Sequence, residues 1–103
     1  MEKEYIAYYR ASNQKQAELF MSKQKDAVAQ YLHGLPVVAE YVDIDSSDGS
    51  NQPHLLYALE HAQRINGLLV VATRNRLSRH ESFFADLKER GIGFVCVDEV
   101  GNG

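Results

Sequence analysis

A chain of 103 residues, 45% hydrophobic and 24% charged, has the size and balance of one globular domain. Its formal net charge of -3 argues, on net charge alone, against a nucleic-acid-binding protein, without excluding a local basic site. One cysteine, Cys96, rules out an internal disulfide, and no run has the form of a signal peptide or approaches the ~20 apolar residues of a membrane helix. A cytoplasmic protein without membrane contact is the expectation. Cys96 lies in "FVCVD" and is read as a buried, unreactive thiol.

The first apolar run, Glu4 to Tyr9, reads as a strand that leads directly into Arg10, Ala11 and Ser12. From Ala17 to Leu32 the apolar positions Leu19, Phe20, Ala27, Val28, Tyr31 and Leu32 keep roughly helical spacing, with Gly34 as a stop and Pro36 unable to continue. Pro36 to Ile44 alternates in polarity, as a strand near a sheet edge does. The polar stretch Asp43 to Pro53, "DIDSSDGSNQP", reads as a loop. A second helix follows from Pro53 to Ile65, with Leu55, Leu56, Leu59, Ala62 and Ile65 on one face and Gly67 as its stop. Leu68 to Thr73 is continuously apolar, the pattern of a strand covered on both faces. Glu81 to Arg90 forms a third helix that turns Phe83, Phe84 and Leu87 inward and stops at Gly91, and Ile92 to Asp98 is the last strand. Strands that alternate with single helices call for a parallel sheet with right-handed crossovers. The expected fold is therefore a small three-layer α/β/α domain on a mainly parallel four-stranded sheet, occupying residues 1–103 as a single unit.

In such sheets ligands bind beyond the carboxyl ends of the strands, where the strand order switches. The first and third strands should be neighbours there. Ser12 would then face the cluster Arg74, Arg76 and Arg79 across one crevice. A serine beside guanidinium groups points to phosphate, since arginine offers a planar fork of donors and stabilises the charge of a phosphoryl transition state. The hydroxyl could attack phosphorus and hold it covalently. No metal-ligand spacing, GxGxxG or Walker loop is present, so no cofactor is expected. His33, His54, His61 and His80 lie in or beside the helices and read as surface or helix-end residues.

These segments resemble the catalytic domain of the serine recombinases, the resolvase/invertase family. "YYRASNQKQ" is similar to the family's nucleophile motif, with Gln16 four residues after Ser12. "QKDAVAQYL" resembles its first helix, "EYVDIDSSDGSNQPHLLYAL" its mobile loop and second helix, "LLVVATRNRLSR" its arginine motif, and "GIGFVCVDE" its fourth strand. The resemblance implies the strand order 2-1-3-4, a resolvase-like arrangement of the flavodoxin type. It implies site-specific DNA recombination in which Ser12 forms a 5′-phosphoserine link and frees a 3′-hydroxyl, with no metal or other cofactor. Arg10, Arg76 and Arg79 then resemble the phosphate-binding arginines. Gln16, Gln24, Asp43, Ser46 and Asn75 fall on supporting positions.

The chain also departs from the pattern. Asn75 stands where the family usually has Asp, and an amide cannot take a proton as a carboxylate can. Gln52 stands where the loop usually carries an arginine, and Asn13 where Ser or Thr is usual. The family continues past the fourth strand into a dimerisation helix and a DNA-binding domain, whereas this sequence ends at Gly103. DNA is therefore expected as a partner through such additional parts or a partner recombinase, with at most a weak homodimer. The leading reading is a recombinase catalytic domain. The second is a degenerate, non-catalytic interaction or regulatory module, and the third an unrelated small domain that binds an anion or nucleotide.

Overall fold

The computed structural model describes residues 4–11, 13–44, 53–73 and 81–100. The elements follow in the order β1 (Tyr5–Ala11), α1 (Gln14–Leu32), β2 (Val37–Ile44), α2 (Pro53–Ile65), β3 (Leu68–Val71), α3 (Glu81–Glu89), β4 (Gly93–Cys96) and α4 (Val97–Val100). All three strand pairings are parallel, and the sheet order is β2-β1-β3-β4. The edge strand β2 alternates in exposure while β1 and β3 are almost wholly buried, as their composition requires.

This order explains the layers. The chain steps one way along the sheet from β1 to β2 and the other way from β2 to β3 and β4, so crossovers of a single hand put α1 on one face and α2 and α3 on the other. One core accordingly joins Ile6, Tyr8, Leu69 and Val71 to Leu55, Leu59, Phe84 and Leu87. The other joins Ala7, Tyr9 and Val70 to Val28 and Leu32, with Val97 of α4 packed against it. Cys96 is buried and in no disulfide.

The helix stops are built from backbone geometry. Asn66 takes a left-handed conformation (φ 54°), which lets its N–H reach the Gln63 carbonyl and that of Gly67 reach the Ala62 carbonyl. Gly91 (φ 74°) ends α3 in the same way, and brings Ile92 back onto Leu87 in the core. At the end of α1 two successive residues are left-handed, His33 (φ 51°) and Gly34 (φ 85°), the glycine expected to stop the helix.

Three expectations are corrected. Leu19 is 54% exposed and Leu56 62% exposed, so the inner faces of α1 and α2 are those of Ala17, Gln24, Val28, Leu32 and of Leu55, Ala58, Leu59, Ala62. β1 extends through Arg10 to Ala11, because Arg10 and Ala11 still pair with Asp43 and Ile44. The last apolar run is split: β4 ends at Cys96, and Val97 begins α4, whose Asp98 N–H bonds to the Ala72 carbonyl at 3.1 Å.

Candidate functional site

The pairing of β1 with β3 ends at Ala7↔Val70, although β1 runs on to Ala11. Beyond that point, among the described residues, no strand pairs with β1 on the β3 side. Gln24 fills the gap from α1. Its side-chain oxygen accepts the Arg10 N–H at 3.2 Å, and its amide donates to the Arg10 carbonyl at 2.9 Å. A single buried amide therefore completes the hydrogen bonding that a neighbouring strand would supply. The result is a crevice at the switch in strand order, with Arg10 buried and held on its wall. On the α1 side a groove of about 290 Å3 opens between Phe20, Gln24 and Ala27 of α1 and the ends of β3 and β4.

Asp43 organises the opposite side of β1. It lies in register with Arg10, on the face of the sheet that carries Tyr8 and α2. One carboxylate oxygen accepts the Tyr8 hydroxyl at 2.8 Å and the Leu55 N–H at 3.0 Å. The other accepts the His54 N–H at 3.1 Å and meets His54 Nδ1 at 2.9 Å. Pro53 needs no acceptor at the first helical position, so the next two N–H groups of α2 are those left to satisfy, and Asp43 takes both. The carboxylate thus caps α2 in trans and opposes the positive end of its dipole.

Asn13 caps α1 by accepting the Gln16 N–H at 2.8 Å, so the departure at this position preserves a helix start immediately after Ser12. Gln16 itself sits half-buried in the first turn of α1. Of the residues singled out by sequence, Arg10, Gln24 and Asp43 are brought together at the carboxyl ends of β1 and β2. Ser12, Ser46, Asn75, Arg76 and Arg79 lie outside the described residues, as do Gln52 and Arg74. Among the described residues no group of three His, Cys, Asp or Glu is placed to hold a metal, and no helix is long and apolar enough to cross a membrane.

Two residues of this cluster escaped the sequence reading, Tyr8 and His54. Their signal was present in part: an acid at the end of a strand, followed by Pro at a helix start, implies an acceptor seeking the N–H groups just after the proline.

On the other face of β1, Tyr9 donates to Glu40 at 2.9 Å. Burial, with the hydrogen bond and charge of Glu40 adding to it, pushes the Tyr9 phenol well above its usual range. A raised value in the folded state means stability that is complete below the ordinary phenol pKa and is lost as pH climbs beyond it. Urea melts taken from about pH 9 to about pH 11 should show stability falling with pH, and Tyr9→Phe should flatten that fall.

An all-parallel α/β domain with a polar crevice at the carboxyl edge of its first strand defines the class. The sequence profile of the family described as "Resolvase, N terminal domain" matches residues 5–102. The chain belongs to this family, whose domain is the catalytic domain of the serine recombinases. It is similar to the N-terminal catalytic domain of TP901-1 integrase, at 24% identity and a TM-score of 0.75 over 93% of this chain and 79% of that one. The C-terminal catalytic domain of ISC1926 TnpA, an IS607-like serine recombinase, matches at 21% identity and a TM-score of 0.72 over 91% of this chain and 67% of that one. A resolvase family site-specific recombinase from Streptococcus pneumoniae matches at 20% identity and a TM-score of 0.70 over 94% of this chain and 74% of that one. At these identities the likenesses establish the fold. No curated protein matches the chain.

Proposed function

We propose that this domain cleaves and rejoins DNA, with Ser12 as the nucleophile that forms a 5′-phosphoserine link. The Ser12 oxygen bonds to phosphorus and the bond to the 3′-oxygen breaks. The hydroxyl proton is released, and the departing 3′-oxygen gains one. Arg10, Arg76 and Arg79 bind the phosphate and spread its charge in the transition state. Gln24, Asp43, Gln16, Ser46 and Asn75 support that arrangement. The observation that carries the reading is the fixing of Arg10 at the open end of β1, two residues before Ser12, by a side chain that replaces the missing neighbour strand. Such a residue is held in advance where an anion would arrive, and needs little reorganisation to meet it.

A second reading, a non-catalytic module of the same fold, is favoured by Asn75 and Gln52, where an acid and an arginine are usual. Covalent trapping separates the two. The protein is incubated with nicked duplexes carrying candidate sites, quenched in denaturant and run on a gel. The catalytic reading expects a protein–DNA adduct that Ser12→Ala abolishes without unfolding the domain. The non-catalytic reading expects none, including from the double variant Asn75→Asp/Gln52→Arg.

A further inference from the structure

Among the described residues β2 and β4 are the outer strands of the sheet, and they differ in how their outer edges are protected. β2 carries the exposed Glu40 and a register shift against β1, and both features discourage pairing with another strand. β4 reads GFVC, with neither charge nor proline, and pairs with a strand on one side only, β3. Its first three residues are half-buried, whereas β3, with a strand on each side, is almost wholly buried. We propose that a second copy of this chain adds its own β4 to this edge in antiparallel sense, so that two sheets join into one across a twofold axis. The inference goes beyond the recombinase reading and does not depend on it.

The groove beside this edge fits that occupant. It holds about 470 Å3 between α3 and β4. Phe84, Ile92 and Phe94 line it with apolar surface, the two rings 5.3 Å apart. Glu81, Ala85 and Lys88 border it from α3, and all three are exposed. They share one face of the helix, since steps of four and three residues each make about one turn. Among the described residues neither Glu81 nor Lys88 makes an ion pair. α3 follows β3 and leads into the start of β4, which is parallel to β3, so the helix runs opposite to the strand. Glu81 therefore stands toward the carboxyl end of β4 and Lys88 toward its amino end. A twofold axis perpendicular to the sheet reverses the strand and keeps both α3 helices on one face. Glu81 of each copy then meets Lys88 of the other, at both ends of the contact. The short Ala85 lies between the two charges and leaves room for the second helix at the axis. A partner sheet turned over would put the two helices on opposite faces and match neither charge. Main-chain bonds along the added strand supply affinity, and the charges fix its direction.

The test is sedimentation velocity of the 103-residue protein from about 1 µM to about 500 µM, which spans the weak affinities of a small interface. Wild type should pass from monomer to dimer and stop there, because a twofold contact closes on itself. Glu81→Lys and Lys88→Glu each set like charges against one another at both ends of the contact, and each should weaken the dimer by about tenfold or more. Mixed in equal amounts, the two variants should associate as well as wild type, since each offers the charge that the other lacks. Ala85→Arg, which fills the groove at the axis, should abolish the dimer outright. All three positions are exposed, and circular dichroism should show each variant folded. Wild type that stays monomeric throughout would overturn the proposal and leave the edge to another occupant. A dimer that neither charge substitution weakens, or that Ala85→Arg leaves intact, would overturn it by placing the contact elsewhere. A mixture that associates no better than the separate variants would overturn the twofold pairing of Glu81 with Lys88.

Discussion

Replacing Asp43 with alanine is expected to destabilise the domain by about 2–5 kcal/mol, the sum of a lost helix cap and a lost buried hydrogen bond to a charged acceptor. Asp43 is the acceptor for four groups at once: the Tyr8 hydroxyl, the N–H groups of His54 and Leu55, and His54 Nδ1. The N–H groups at the start of α2 can recover water in part, because His54 is half-open to solvent. The Tyr8 hydroxyl, in a fully buried residue, loses its bond to the carboxylate outright. For a domain of this size each kcal/mol moves the melting temperature by roughly 4–8 °C, so a drop of at least about 8 °C is expected. Tyr8→Phe alone should cost only about 1 kcal/mol, since it removes one donor from a carboxylate that keeps the others. The double variant should then be less destabilised than the sum of the two single variants, because both remove the same Tyr8–Asp43 bond. Thermal melts of the four proteins close that cycle.

Gln24→Leu is the second large effect. The substitution nearly conserves volume, so any loss reflects hydrogen bonding rather than a cavity. It removes the two hydrogen bonds that Gln24 makes to the buried Arg10 N–H and carbonyl, at about 1–3 kcal/mol for each group. A total of about 2–6 kcal/mol is expected from denaturant melts. Adduct formation should fall further than stability does, because the peptide released is that of Arg10, immediately before Ala11 and Ser12. Under conditions where the variant remains folded, its adduct yield should therefore still be reduced. An adduct yield equal to wild type would show that Arg10 is positioned by something other than Gln24.

Much of this arrangement was legible in the sequence. The run of valines and leucines in Leu68–Val71 marked a central strand, the alternation of Val37–Ile44 marked an edge, and single helices between strands required the parallel order. The positions of Arg10, Gln24 and Asp43 were singled out as well, by resemblance. Hydropathy did not show why Gln24 faces inward. A polar residue on the inner face of α1 looks like an error in the helical pattern until the unpaired end of β1 is known. The same pattern turned Leu19 and Leu56 inward, because adjacent apolar residues, Leu19 with Phe20 and Leu55 with Leu56, leave the helix phase ambiguous by one position. Val97 continued an apolar run although the chain had already left the sheet, since a helical turn packed on the α1 face is as apolar as a strand. His54 read as a residue at a helix end, which it is. Its contact with Asp43, 11 positions earlier in sequence, depends on tertiary placement, and no local pattern encodes that.

The central claim is that Ser12 becomes covalently joined to DNA. Its most direct measurement is peptide mapping of the denatured, nuclease-trimmed adduct by mass spectrometry. A nucleotide remnant linked through its 5′-phosphate to Ser12, absent from Ser12→Ala, is the predicted result. A remnant on any other residue, or DNA that is cleaved without becoming attached to the protein, would contradict it.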